Sequence, residues 1–530
     1  TAVERDFALA DQRAEPAQEL ELKLDLTDRD LQELRSLPLL RELTVGRPAT
    51  RLLRSIYFDT EDDRLREAGL SLRLRHVSGR WIQTVKCGTS VTGGISNPLE
   101  SEAVVPGPQP DLSLIGDAEL RQQISGAIEE EPLVPIFETS VHRTTRRLES
   151  AGRGAIELAL DNGEIRCSGE AQPLSEAEFE LISGNPGFLL DIGQQLLADI
   201  PLVLSQTSKA ERGYRLARGK APPLKPQKGE RPDLSAVDTI ESAFEKIVGA
   251  AVDQVLSNWR VVLDSDDPEG PHQLRVGLRR LRSALQAFRP TIDGPCLRRI
   301  ATNARDLARR VGELRDADVM IDDICRSVPV AETDERDRST LLRYLDEQRN
   351  HVREDVRAEL KHPRWSTFQV ELALFTRAAH WREESASAKK LSKPTAKQGQ
   401  KALEKTWRKV RKYGRSIRAL NIEERHAMRK ALKTFRYSVE FFMPLYPGKA
   451  SEKFFKRLKA LQDVFGYLND LAVAERLKAL CAEERSPEEG SLRRRAVDQV
   501  LAWHACRADN AWLDAQKRWK RLERTAPFWQ

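Results

Sequence analysis

Two hydrophobic periods divide this chain of 530 residues. From about residue 18 to about 216, apolar side chains recur at every second position in short runs such as "ELELKLDL", "RSIYFDT", "LSLRLRHV", "RWIQTVKC", "LESEAVV" and "AIELALDNGEI". From about residue 237 to the end they recur on a helical period, as in "TIESAFEKIVGAAVDQVLSNW". A period of two marks a strand with one apolar face, and a period of 3.6 marks an amphipathic helix. The turn signals "SGR", "GTSVTGG", "DNGE" and "SGNPG" separate the strand runs, and helical patterns intervene near 28–37 and 187–199. The class expected is α+β, with many antiparallel strands closing into a barrel or sandwich and an all-α half behind them.

Between the halves, "ARGKAPPLKPQKGERPDLSA" is rich in Pro, Gly and Lys and reads as a linker. The polar stretch 385–400, "SASAKKLSKPTAKQGQ", reads as a second break. The helical half repeats itself. "HQLRVGLRRLRSALQAF" (272–288) resembles "HAMRKALKTFRYSVEFF" (426–442), and "VGELRDADV" (311–319) resembles "FGYLNDLAV" (465–473), both at an offset of 154 residues. Two matches at one offset predict a duplicated, pseudo-symmetric pair of helical bundles.

The strand half puts its charges on one face. Glu19, Glu21 and Lys23 alternate with Leu20, Leu22 and Leu24; Arg73 and Arg75 share a face, as do Thr84 with Lys86, Glu100 with Glu102, and Glu157 with Asp161. Glu176, Glu178 and Glu180 line up opposite Ala177, Phe179 and Leu181. A solvated sheet face is the plain explanation. Against it, the charges sort into acidic strands and basic strands, and arginine, whose planar fork suits phosphate, dominates the basic ones. If such a barrel closes with its charges inward, the interior holds water and a ligand, because an unpaired buried charge costs several kcal/mol. Basic groups then grip a many-oxygened anion, and clustered carboxylates call for a divalent cation. The chain has neither a P-loop nor a GxGxxG fingerprint. Trp81 and Tyr57 read as packing residues.

These residues carry a resemblance. Glu19-x-Glu21-x-Lys23 is similar to the ExExK signature of the CYTH superfamily, the triphosphate tunnel metalloenzymes, and "YFDT", "LRLR", "QTVK", "ALDNGEI", "SEAEFEL" and "SKAERGY" follow in the family's order. The resemblance implies an eight-stranded antiparallel tunnel with flanking helices over 15–217, and Mg²⁺- or Mn²⁺-dependent hydrolysis of inorganic triphosphate. By it Lys23, Arg73, Arg75, Lys86 and Arg143 hold phosphate oxygens, with Lys209 and Arg212 as further candidates. Glu19, Glu21, Glu178 and Glu180 serve the metal, with Glu176 beside them; Glu157, Asp161 and Glu176 are secondary substrate-site candidates. Asn97 and Pro98 stand where relatives of this length often carry arginine.

The helical half has basic stripes. His272, Arg275, Arg279 and Arg282 lie on one helical face, His426, Arg429, Lys433 and Arg436 repeat the spacing, and Arg280 and Lys430 lie near them. Guanidinium groups one helical turn apart match a linear polyanion. Without interleaved aromatics for base stacking, polyphosphate fits better than nucleic acid. One His per stripe argues against a metal site. "HQLRVGLRRLR" and "ELRDADV" resemble the signatures of the CHAD domain, which the resemblance associates with polyphosphate binding. That places a linker at 218–236 and a CHAD domain at 237–526, with halves at about 237–384 and 400–526. In "RDADV", Asp316 and Asp318 are expected to pair with nearby arginines rather than bind metal.

A formal charge of +6 does not indicate a whole-chain nucleic-acid binder, and no apolar run is long enough to span a membrane. Six scattered cysteines without a CxxC pair read as reduced thiols of a cytoplasmic protein. "TAVERDFALADQRAEP" lacks the apolar stretch of a signal peptide. Association with polyphosphate granules would follow from the stripes. The competing expectations are a polyphosphate-targeting protein with a feeble tunnel, and a nucleotide triphosphatase or adenylate cyclase-like tunnel.

Overall fold

The computed structural model describes residues 17–88, 91, 93–200, 202–219, 224–377, 380–382, 388–474, 476–480 and 487–530. The leading "TAVERDFALADQRAEP" and Cys481 lie outside them. There are two compact units. One extends to Pro223 and includes Lys361–His380; the other comprises Leu224–Leu360 and Trp381–Gln530.

The first unit is built on antiparallel strands β1 (Ala17–Gln18), β2 (Glu21–Asp25), β3 (Thr44–Asp59), β4 (Leu70–Val77), β5 (Arg80–Cys87), β6 (Ile95–Ser96), β7 (Leu99–Val105), β8 (Val134–Ser150), β9 (Gly154–Cys167), β10 (Glu170–Gly184) and β11 (Val203–Leu204). β7, β5, β4, β3, β8, β9, β10 and β2 are bonded in that order. The register also closes the ring. Ala17↔Glu100 and Gln18↔Leu99 continue in step as Glu21↔Ser96 and Leu22↔Ile95, and the Glu19 amide donates to the Pro98 carbonyl at 3.3 Å. β1 with β2 is therefore one wall strand, and β6 with β7 is another. The second is broken at Asn97-Pro98, where proline has no amide to give to a ladder. The ring returns to β2 through β10, from Glu176↔Asp25 to Glu180↔Glu21.

Closure explains the alternation. The leucine faces turn outward and are covered. Leu70, Leu72, Leu74 and Val85 pack with Leu120, Ile124 and Ile128 of the helix Ala118–Ile128. Over β2 lies the helix Gly187–Asp199, set so close that a Cβ at Gly193 would stand 3.2 Å from Leu22 and 3.7 Å from Val370 of the helix Pro363–Arg377. Burying these faces drives the curl, at about 25 cal/mol per Å² of apolar surface. One end of the interior is apolar instead. Leu53, Tyr57, Phe137, Val141, Ile165 and Leu174 meet Ala210 and Tyr214 of the helix Lys209–Arg218, where only glycine fits at 213 because a Cβ would stand 2.0 Å from the Phe137 ring. Tyr57 stacks on Phe137 at 4.5 Å, and Trp81 lies 5.0 Å from His76.

The second unit is helical. The repeated segments form the helices Glu269–Phe288 and Ile422–Phe442, which meet through Phe288 and Phe442, with ring centres 5.9 Å apart. Two segments differ from expectation. Within 385–400, residues Ala388–Leu391 are helical and a longer helix, Ala396–Gly414, begins. Its apolar period, Leu403, Trp407 and Val410, starts only after a lysine- and glutamine-rich first turn, and its Gly399 seats against Phe442. The described linker residues are pinned rather than free. Gln227 and Asn258 exchange hydrogen bonds at 3.0 and 2.8 Å, Arg280 donates to the Glu230 carbonyl, Arg231 lies over the Phe455 ring at 4.9 Å, and Leu234 is buried.

A candidate active site inside the barrel

Closure turns the charged face of the strands inward, with Glu102 and Glu157 left exposed, and it sorts the charges. Lys23 reaches Glu21 at 3.0 Å and also bonds Glu178. Arg143 forks onto Asp161 at 2.8 and 2.6 Å and reaches Glu178 at 2.6 Å. Lys209, from the helix at the apolar end, meets Asp161 at 2.8 Å, Glu178 at 3.0 Å and Glu176. Arg212 pairs with Asp25 and lies 4.0 Å from Glu176. On the other wall, Lys86 sits between Glu19 at 3.0 Å and Glu100 at 2.6 Å, Arg73 is 3.6 Å from Glu100, and Thr84 donates to Glu102 at 2.8 Å. Asp25, Ser55, Glu100 and Glu102 belong to this network although sequence reasoning assigned them no role. For Glu100 and Glu102 the signal was present, since they alternate like the residues that were chosen.

Arg75 differs from the other interior cations. Its one hydrogen bond among the described residues goes to the Ser55 hydroxyl at 3.1 Å, with no carboxylate in contact. Burial, then Arg73 and Arg143, push its guanidinium down to about 10. For Lys23, Lys86, Arg143 and Lys209, burial also disfavours the charge, but adjacent carboxylates outweigh it and hold them above their ordinary values. The molecule therefore holds a half-buried positive charge that its surroundings under-compensate, which an anionic ligand would answer.

The carboxylates fall into two sets. Asp161, Glu176 and Glu178 bring one oxygen each within 4.8 Å of one another, close enough to share an ion. Those oxygens already receive Lys209, with Arg143 and Lys23 beside them. Despite burial, these cations hold Asp161 and Glu178 well below the usual carboxylate range, whereas burial outweighs them at Glu176, which is raised. The other set is under-compensated. Burial, with Glu100 and Glu180 and against Lys86, pushes Glu19 up to about 9. Burial, then Glu21 and Glu157, pushes Glu180 up to about 7. Glu21 stands directly across from Glu180, and Glu180 from Glu157. The residues expected to serve a metal are thus divided: Glu178 lies with the cation-bound trio, while Glu19 and Glu21, each with a single lysine, share the other set with Glu180, which has no ion pair among the described residues.

In the helical unit, the stripes of the two repeats converge. Arg275 donates to the Gly312 carbonyl at 3.2 Å and to Asp316 at 3.0 Å, and Arg279 to the Arg275 carbonyl at 3.4 Å. Burial lowers Arg279, with Arg275 and Arg436 of the other repeat adding to it. Burial and Arg305 lower Arg282, and burial with Arg315 pushes His272 down to about 4. Arg436 lies 3.5 Å from Glu440; Arg429 and Lys433 are half-buried, and His426 and Lys430 are exposed. Arg280 does not join them: it is 4 % exposed and holds the linker. Asp316 pairs with Arg275 as expected. Asp318 does not pair so: at 0 % exposure neither of its oxygens has a hydrogen bond among the described residues, and burial pushes it up to about 6 against Arg315, Arg349 and Arg353.

Among the described residues no helix is long and apolar enough to cross a membrane. Comparison with known proteins matches residues 17–214 to the CYTH domain family and 246–479 to the CHAD domain family. An inorganic triphosphatase of Haemophilus influenzae is 32% identical over 200 residues, which are 38% of this chain and 55% of that protein. An uncharacterized protein of Mycobacterium tuberculosis is 26% identical over 299 residues, 52% of this chain and 54% of that one. The chain thus spans about half the length of these curated relatives. The crystal structure of the CHAD domain from the plant Ricinus communis covers 57% of this chain and 98% of its own, at 25% identity and a TM-score of 0.48.

Proposed function

Because the chain carries a CYTH domain followed by a CHAD domain, we propose that its barrel hydrolyses inorganic triphosphate with a divalent cation, Mg²⁺ or Mn²⁺, and that its helical unit binds inorganic polyphosphate. The observation that carries the first part is Arg75, a half-buried guanidinium that no carboxylate hydrogen-bonds among the described residues and that Arg73 and Arg143 disfavour. Such a cluster is costly without an anion and favourable with a multiply charged one.

Arg73, Arg75 and Lys86 would hold non-bridging oxygens, and Arg143 and Lys23 would turn from Glu178 toward the phosphate chain. Glu19, Glu21 and Glu180 fit a hard cation. They offer only oxygen donors, which Mg²⁺ and Mn²⁺ prefer, and their mutual repulsion is what a divalent charge relieves. When bound, that cation would neutralise phosphate charge and lower the pKa of a water for attack on phosphorus. Lys209 and Arg212 keep Asp161, Glu176 and Asp25 in place behind the phosphate grip.

Phosphate release from triphosphate, ATP, pyrophosphate and long-chain polyphosphate, with and without Mg²⁺, tests the reading. Release is expected from triphosphate, only with metal, and at least about 100-fold slower in Glu21→Gln, the scale of losing one charge-stabilising group. Release from ATP but not triphosphate would overturn the substrate assignment.

For the helical unit, the supporting observation is the convergence of Arg275, Arg279 and Arg436 from both repeats. Arg275→Ala with Arg429→Ala should weaken polyphosphate binding about tenfold or more at low salt and flatten its salt dependence, as removal of backbone-phosphate contacts does for other polyanions. Unchanged affinity in a filter-binding titration would remove the stripes from the binding site.

A further inference from the structure

The mouth of the barrel has one lip longer than the other. β3 begins at Thr44, yet its pairing with β4 begins only at Arg54. On its other side, β8 accompanies it back to Thr44↔Leu148. Residues 44–53 of β3 therefore have a neighbouring strand on one side only. From Ala49↔Thr145 to Tyr57↔Phe137 the β3–β8 register is unbroken, so Arg51 shares the inward face with Leu53, Ser55 and Tyr57. It stands directly across from Arg143, at the roughly 5 Å separation of opposed Cβ atoms.

Arg51 is exposed, and among the described residues it has no hydrogen bond or ion pair. Its neighbours are all engaged. Arg143 forks onto Asp161, and Arg147, the next inward arginine toward the rim, pairs with Glu149 at 2.6 Å and faces Glu157 across β9. Arg54, three residues on, points the opposite way, outward, across from His76 and Ser140. The inward wall thus presents Arg75 opposite Ser55 and, four residues nearer the open end of β3, Arg51 side by side with Arg143. A free guanidinium fork at the end of a row of phosphate-binding groups matches one more phosphate of a linear chain.

We propose that Arg51 forms a subsite for a fourth phosphate, so that the barrel favours linear polyphosphates of four or more units over triphosphate. This rests on the reading of the barrel as a metal-dependent triphosphatase. The acidic rim residues Glu149 and Glu157 are countered by Arg147, which pairs with the first and stands across from the second.

The test uses the full chain and compares kcat/KM for inorganic tetraphosphate and triphosphate, with Mg²⁺, in the unaltered protein, Arg51→Ala, Arg51→Lys and Arg54→Ala. Hydrolysis reports on the barrel alone, so polyphosphate held by the helical unit does not enter. The unaltered protein should prefer tetraphosphate. Arg51→Ala should lower kcat/KM for tetraphosphate about tenfold, the scale of one charge-assisted hydrogen bond, with triphosphate changed less than about twofold. Arg51→Lys should restore part of the preference, and Arg54→Ala should leave it intact. An Arg51→Ala protein that loses both substrates equally, or neither, overturns the subsite while leaving the triphosphatase reading standing. Phosphate release from neither chain by the unaltered protein overturns both.

Discussion

Arg75→Ala should lower kcat/KM for triphosphate by about 10²–10³, the cost of removing one preorganised charge-stabilising donor, and should not lower the melting temperature. The two halves of this expectation have one cause. Among the described residues no carboxylate hydrogen-bonds Arg75, so its removal orphans the Ser55 hydroxyl and relieves the repulsion with Arg73 and Arg143. An interaction that opposes folding and serves a ligand is characteristic of a binding group. Phosphate-release kinetics and thermal unfolding of the same preparation check it. If melting fell by several degrees while hydrolysis was kept, Arg75 would be a structural group and the reading of the barrel would lose its main support.

Lys209→Met should do the reverse and strike stability first. Its ammonium serves Asp161, Glu176 and Glu178 together, and all three are buried. Removing the cation from such a set leaves like charges facing one another without water, at a cost of about 3–5 kcal/mol. The sign of the pH dependence follows from the carboxylates. Asp161 and Glu178 are held below their unfolded values, so their stabilising contribution is complete above about pH 4 and disappears as pH falls through the folded values. The difference in urea midpoint between the unaltered protein and Lys209→Met should therefore be full at pH 7 and narrow below about pH 4. A difference that stays constant with pH would mean that the helix Lys209–Arg218 is held by Ala210, Tyr214 and the Phe137 contact, not by its lysine.

Much of this site was legible before any coordinates. Leucine alternating with Glu19, Glu21 and Lys23 gives a two-faced strand whatever surrounds it, and the recurrence of that pattern marks the wall residues one by one. The helical repeat was equally plain, because apolar spacing and a fixed offset are properties of the chain alone. Where sequence reasoning fell short, the missing information was tertiary. Glu100 and Glu102 were placed on the charged face but given no role, and only the closing of β7 against β1 and β5 sets Glu100 beside Lys86 and Arg73 and Glu102 beside Thr84. Arg280 sits beside the stripe in sequence, but a turn of the helix aims it into the core and onto the linker. Asp318, two residues from the paired Asp316, ends in a buried position with no donor among the described residues.

Side-chain period is a local quantity, fixed by backbone geometry within a few residues, so the order of the residues settled on its own that charged and apolar faces exist and which residues share them. Which face lies inside, and which cation answers which carboxylate, depends on pairings between distant strands. Glu178 meets Lys23 across 155 residues and Arg143 across 35, and Arg51, without a partner among the described residues, lies beyond the reach of the β3–β4 pairing. Those relations come from register and closure, which packing of the outer leucines under helices decides.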